Sequence, residues 1–131
     1  MGQGYKLTCD HCTYTKDIYI GIGFYYFSLE SIASFVKDLA LKQQIEHFQK
    51  DPATTFDAYD ALYVCPSCNA VRNELFMNMR SDTSQFVTIY TCKRCKDTMR
   101  LTPLEHLVPV HLSCPECEHG QLESTFFMDW D

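Results

Sequence analysis

Cys9-Asp10-His11-Cys12 is the first of four matching cysteine pairs; Cys65-Pro66-Ser67-Cys68, Cys92-Lys93-Arg94-Cys95 and Cys114-Pro115-Glu116-Cys117 complete the set. Each pair encloses two residues, and none of the eight cysteines is left over. Four C-x-x-C pairs supply two complete four-thiolate sites, which is the arithmetic of zinc ribbons. A C-x-x-C turn brings two sulfurs to one ion while nearby backbone N–H groups point at them and offset the excess negative charge. Pro66 and Pro115, each just after a first cysteine, preset the turn dihedral. Thiolates in tetrahedral geometry select zinc, with iron as a substitute. Structural zinc contributes roughly 10–16 kcal/mol in finger peptides. That rivals the net stability of a whole domain, roughly 5–15 kcal/mol. Two Zn2+ per chain, one for each set of four cysteines, should therefore decide whether this chain folds.

The pairing of the four knuckles is less constrained. Between Cys95 and Cys114 lie 18 residues, inside the usual ribbon spacing of about 15–20. That favours Cys92/Cys95 with Cys114/Cys117, and sets Lys93, Arg94 and Lys96 against Glu116 and Glu118. Cys9/Cys12 would then pair with Cys65/Cys68 across 52 residues. The nested alternative joins Cys65/Cys68 to Cys92/Cys95 across 23 residues, and Cys9/Cys12 to Cys114/Cys117. Redox-active thiols are the competing reading of any C-x-x-C, but four pairs on hairpins with no βαβ pattern argue against it. His11, His47, His106, His111 and His119 are then spare, with His11 or His119 a minority substitute for one cysteine.

Working outward, Tyr5–Cys9 alternates apolar and polar as a short strand, and Thr13–Ile22 reads as its return. Gly21 and Gly23 end it; without a third glycine or a Lys-Ser/Thr they mark a turn, not a phosphate cradle. Phe24-Tyr25-Tyr26-Phe27 is expected to pack in the core, the competing reading being an exposed patch for a partner. Ser28 can cap a helix. Apolar residues at Leu29, Ile32, Phe35, Val36, Leu39, Ala40, Ile45 and Phe48 give it one apolar face. Its phase slips between Leu41 and Ile45, so it bends or divides there, and Asp51-Pro52 stops it. Asp51–Asp60 reads as a loop. Strands flank the remaining knuckles at Leu62–Val64, Asn69–Met79, Phe86–Tyr90 and Lys96–Leu101. Ser81–Ser84 is a turn, Leu104–Leu107 a single turn, and Val108–Leu112 an approach to the fourth knuckle. Leu122–Trp130 is a last strand or a loose aromatic-acidic tail. The fold class is α+β: zinc ribbons of short antiparallel β-hairpins with one helical insertion. Residues 1–82 would form a first ribbon carrying the insertion at about 28–51, and 83–131 a second with the acidic aromatic tail.

The net charge of −6 is unevenly placed. All 11 Lys and Arg fall within residues 1–100, whereas residues 101–131 hold only acids: Glu105, Glu116, Glu118, Glu123, Asp129 and Asp131. The whole molecule thus lacks the basic footprint that nucleic-acid binding requires. Met1–Lys6 has no secretory pattern, and the apolar run Ile18–Phe27 is too short to span a bilayer. A cytoplasmic protein without a membrane partner is the expectation, in a compartment where thiols stay reduced.

Two closed four-thiolate sites leave no open position for a catalytic water. No Gly-x-Ser-x-Gly, His-Glu-x-x-His or Walker loop is present, and the acid pairs Asp57/Asp60 and Glu116/Glu118 read as solvated. The chain is expected not to be an enzyme. A zinc-binding module that docks on a protein partner, as scaffold or accessory subunit, is the leading reading, through Phe24–Phe27 or Phe126–Trp130. The alternative is a nucleic-acid-binding ribbon using Lys93, Arg94, Lys96 and Arg100, with Phe86 and Tyr90 nearby.

Gly2-Gln3-Gly4-Tyr5, the first knuckle, Gly21-Ile22-Gly23-Phe24, a helical insert, Leu62-Tyr63 and three further knuckles together resemble small uncharacterised bacterial zinc-ribbon proteins of the Firmicutes type. The resemblance covers most of the chain. It implies zinc ribbons and a bacterial cytosol, and no activity. The chain departs from the usual pattern at Thr13, where a glycine would follow the second cysteine.

Overall fold

The computed structural model describes residues 2–103 and 112–130. The expectations for Leu104–Leu107, the approach from Val108, and Glu105, His106, His111 and Asp131 lie outside them. The described elements are strands β1 (Gly2–Cys9) and β2 (Thr15–Gly21), a 3-10 turn (Phe24–Phe27), helices α1 (Leu29–Phe35) and α2 (Leu39–Gln49), and strands β3 (Thr55–Val64), β4 (Val71–Arg80), β5 (Gln85–Val87), β6 (Arg100–Thr102), β7 (Leu112–Ser113) and β8 (Gln121–Trp130). All paired strands are antiparallel. They join in the order β5-β4-β3-β2-β1-β8-β7, with β6 added to β3. The α+β expectation holds at this level.

Each knuckle closes a hairpin. Thr8 faces Thr15, Val64 faces Val71, Thr91 faces Thr98 and Ser113 faces Gln121. The first three share one frame, and the fourth holds one extra residue. Because β2 runs antiparallel to both β1 and β3, β1 and β3 point the same way, and their knuckles lie at the same end of the sheet.

Near the knuckle end, Tyr5, Leu7, Ile18, Leu62, Val71 and Leu122 pack against Cys114. Farther along, Ile32, Ile45 and Phe48 of the helices cover Ala58, Met77 and Met79 of β3 and β4. A third cluster holds Ala61, Tyr63 and Met99 against Cys65 and Cys92.

The helical insertion divides earlier than its phase implies. Ser28 caps α1 by accepting from the Ser31 N–H at 3.1 Å. The chain then turns extended at Val36, and Asp38 caps α2 through the N–H groups of Ala40 and Leu41. A side chain that satisfies two orphan donors at once fixes the second start. The presumed loop at 51–60 is also half strand: β3 begins at Thr55 and pairs with β4 over its whole length. Its two aspartates, poor strand formers, each find a partner. Asp57 meets Arg80 at 3.2 Å, and Asp60 accepts from the Tyr26 hydroxyl at 2.6 Å. The tail from Leu122 is strand β8, paired along β1 with a register shift at Gly4/Tyr5.

Trp130 explains part of the glycine pattern. A Cβ on Gly2 would stand 2.2 Å from its Cε2, and one on Gly23 would stand 2.7 Å from its Cζ3. One glycine of each Gly-x-Gly segment thus leaves room for the same indole.

Burial lifts Asp60 above the usual carboxylate range, and the Tyr26 hydrogen bond pulls it part of the way back. A raised acid stabilises the fold below its unfolded pKa, and that contribution is lost as pH rises through the folded value. Tyr26→Phe removes the hydroxyl and leaves the ionised carboxylate half-buried and unpaired. The variant should lose roughly 1–3 kcal/mol at neutral pH. Denaturant titrations at several pH values should show this deficit shrinking in acid, where Asp60 is protonated in both proteins.

Candidate metal centres

Four knuckles at one end give two groups of four sulfurs. Cys9, Cys12, Cys114 and Cys117 form one; Cys65, Cys68, Cys92 and Cys95 form the other; within each, all four Sγ atoms lie within 4.8 Å of one another. The nested pairing is therefore the one the fold builds, and the sequential pairing is corrected. Both groups draw on residues from either side of position 82. The physical reason is strand direction. β4 leads through the turn at Ser81–Ser84 into antiparallel β5, which returns the chain to the metal end in time for Cys92 to meet Cys65 and Cys68. β8 starts just after the fourth knuckle and pairs with β1 so that Leu122 faces Cys9, which holds Cys117 beside Cys9.

The sulfur spacing fits a tetrahedral ion. Cys9–Cys117 and Cys12–Cys114 are each 3.6 Å apart, Cys68–Cys92 3.5 Å and Cys65–Cys95 3.1 Å. A Zn–S bond of about 2.3 Å gives tetrahedral edges of roughly 3.8 Å, and a disulfide would need about 2.05 Å. Zinc is the plausible occupant of both groups. The donor set is complete without any histidine: His11 and His119 pack edge-on with ring centroids 5.9 Å apart beside the first group, and His47 packs on Phe48.

Backbone N–H groups converge on the sulfurs, as the knuckle turn requires. His11 and Cys12 donate to Cys9 at 3.3 Å, and Tyr14 to Cys12 at 3.5 Å. Glu116 donates to Cys114 at 3.4 Å, Gly120 to Cys117 at 3.3 Å, and Arg94 to Cys92 at 3.4 Å. Their effect shows in the thiols. The N–H groups of His119 and then Gly120 bring Cys117 down to about 6. The Cys95 N–H does the same for Cys92, to about 6, against its burial. In each group a second thiol goes the other way. The Tyr14 N–H lowers Cys12, but burial and the neighbouring sulfurs outweigh it and push the thiol up to about 12. Cys95 reaches about 12 because the Cys65 sulfur and burial outweigh the Asp97 N–H. The N–H groups thus favour the thiolate form that a metal ion requires, and binding at either group releases thiol protons.

The knuckles differ in backbone. Asn69 (φ 64°), Lys96 (φ 69°) and Glu118 (φ 60°) each follow a second cysteine in the left-handed region, whereas Thr13 does not. Glycine is the residue such a position favours, and here none of the three is glycine. Thr13 keeps a negative φ, so its knuckle makes no demand for glycine. Instead, Asp10 clamps the first knuckle to the fourth: its N–H donates to the Gln121 carbonyl at 3.1 Å, and its carboxylate accepts from the Gln121 N–H at 2.9 Å.

Arg94 ties the two centres together. Its backbone serves Cys92, while its guanidinium donates to the Pro115 carbonyl at 2.9 Å and lies 3.8 Å from Glu116. The expected attraction between these charges is therefore present, but it runs between the two metal groups and not within one. Sequence reasoning missed Gly120. A Cβ there would stand 2.3 Å from the Cys9 sulfur, and its place three residues after Cys117 was the available signal.

No family model matches the chain, and no curated protein or solved structure matches it significantly. The likeness to zinc-ribbon proteins accordingly rests on the two four-cysteine groups.

Two outcomes check this geometry by metal analysis of purified, reduced protein. Cys9→Ser combined with Cys114→Ser should cost one ion, because both belong to one group, whereas Cys9→Ser with Cys65→Ser should cost both. Gly120→Ala should lower occupancy at the Cys9 group alone and leave about one ion per chain bound at the other group.

Proposed function

We propose that the protein is a non-catalytic, zinc-stabilised module that docks on another protein as a scaffold or accessory subunit. Two closed four-thiolate groups support the non-catalytic part, since neither keeps a coordination position for water or substrate. Among the described residues no helix is long and apolar enough to cross a membrane.

The observation that carries the docking reading is an exposed aromatic cluster. Phe24–Phe27 was expected in the core. Instead Phe24, Tyr25 and Phe27 are 71%, 63% and 69% exposed, and only Tyr26 turns inward. The rings of Phe24, Tyr25, Phe27 and Phe35 touch edge to face at 6.0–6.2 Å, and Leu39 stands 74% exposed. The expected helix stripe is thus split, with Ile32, Ile45 and Phe48 buried and Phe35 and Leu39 outside.

The cluster lies at the end of the sheet opposite the metal groups, where Gly2 faces Gly21. Residues 18–29 carry no charge. Large contiguous apolar patches on a monomer mark interaction sites, and an uncharged one fits an apolar hollow on a partner.

Phe24→Ser with Phe27→Ser should leave metal content and melting temperature near the parent's. It should also abolish capture of a partner crosslinked through a photoreactive group at Tyr25. Capture of a second copy alone would identify a homodimer face. Capture that survives both substitutions would overturn the reading.

A further inference from the structure

A groove of about 540 Å³ opens between β2, the start of β4 and the third knuckle. It exists because β2 pairs with β3 only at Gly21/Asp60 and then diverges from its edge, so that β6 takes the vacated edge of β3 at Leu62–Val64. The side chain of Asn73 holds the parting strand in place, bonding the backbone N–H and carbonyl of Tyr19 at 2.8 Å each and the Ala61 carbonyl at 3.0 Å.

The groove concentrates positive charge in an acidic protein. Lys16, Arg72, Lys93 and Arg94 line it, four of the chain's 11 Lys and Arg, against only Asp17 and Glu74 of 17 acids. Both acids are already paired, Asp17 with Lys6 at 2.9 Å and Glu74 with Arg72 at 2.8 Å. Among the described residues the ammonium groups of Lys16 and Lys93 have no hydrogen-bond or ion-pair partner. Tyr19 lines the groove and is 39% exposed, its ring meeting Phe127 edge to face at 6.0 Å between centroids. It also lines an adjoining hollow of about 350 Å³ that shares Asn73 and Glu74, so the depression continues along β4 past the aromatic ring.

We infer that this groove binds single-stranded nucleic acid, with phosphates at Lys16, Lys93 and Arg94 and a base stacked on Tyr19. The free ammonium groups of Lys16 and Lys93 beside a partly exposed aromatic residue are elements of single-strand recognition, and Arg94 adds its charge while held by Pro115 and Glu116. The carboxylates of Asp17 and Glu74 keep lone pairs free beside their ion pairs and can accept from base amino groups, whereas they repel the carboxylates of an acidic peptide. The site lies away from the aromatic cluster at the far end, so it stands or falls independently of protein docking.

Lys93 and Arg94 also sit in a knuckle, where they offset thiolate charge, but Lys16 lies on β2 outside any knuckle. The test therefore turns on Lys16. A fluorescent oligodeoxycytidine 12-mer, whose bases carry exocyclic amino groups, is titrated into metal-loaded protein at several salt concentrations. Binding should weaken with salt at a log–log slope of about −1.4 to −2.1, for two to three phosphates. Lys16→Glu should weaken it about tenfold or more with two ions still bound. Tyr19→Ala should weaken it about fivefold or more without changing the slope. Absence of binding at low salt, unchanged affinity in Lys16→Glu, or equal affinity for a duplex or a poly-glutamate peptide would overturn the inference.

Discussion

Eight sulfurs gathered at one end of a sheet are the constraint on which the rest depends. Each four-cysteine group takes two knuckles whose strands run into the same end. The Cys9 group joins the first strand of the chain to the last, so β8 must lie along β1. An ion worth roughly 10–16 kcal/mol at such a site outweighs most of what a core of this size supplies. The hydrophobic clusters follow suit: two of the three include cysteines of the metal groups among their buried members. Burial and coordination therefore reinforce each other, and Arg94 carries the load from one centre to the other.

The two ends of the sheet differ for reasons that trace to the same constraint. At the metal end, thiolate charge calls for nearby cations, and the third knuckle supplies Lys93, Arg94 and Lys96. The divergence of β2 then leaves some of these charges around an open groove. At the far end the chain is free of such charge, and Trp130 seals the strands over Gly2 and Gly23. The short 3-10 turn that follows sends only Tyr26 inward, because its hydroxyl has the Asp60 carboxylate to meet. Its three neighbours are left in solvent.

How much of this could be read from the chain depended on the range of the interaction. The ligand residues and the knuckle hairpins are local, and C-x-x-C spacing reveals them. The Ser28 cap and the end of the helices near Asp51-Pro52 are local too, and both hold. The break at Val36–Asp38 was misplaced because a cap that satisfies two donors outweighs the phase of an apolar stripe. Asp57 and Asp60 looked like loop residues because their partners, Arg80 and Tyr26, lie more than twenty residues away. The left-handed positions at Asn69, Lys96 and Glu118 lacked the glycine signature that would have marked them.

The nested pairing of the knuckles is the instructive failure. A spacing rule assumes that short loops win because closing them costs less entropy. Yet closure cost grows only as the logarithm of loop length, so a separation of 108 residues, as between Cys9 and Cys117, costs only about 1–1.5 kcal/mol more than one of about 20. Against an ion contributing about ten times that, loop length scarcely weighs. What decides is where the strands deliver their ends. β5 returns Cys92 to Cys65, and the pairing of β8 with β1 fixes the fourth knuckle beside Cys9. Once both have done so, the remaining cysteines of each pair have no other ion to reach. Metal partners in such a chain follow from strand order, and the distance between cysteines along the sequence is a secondary guide.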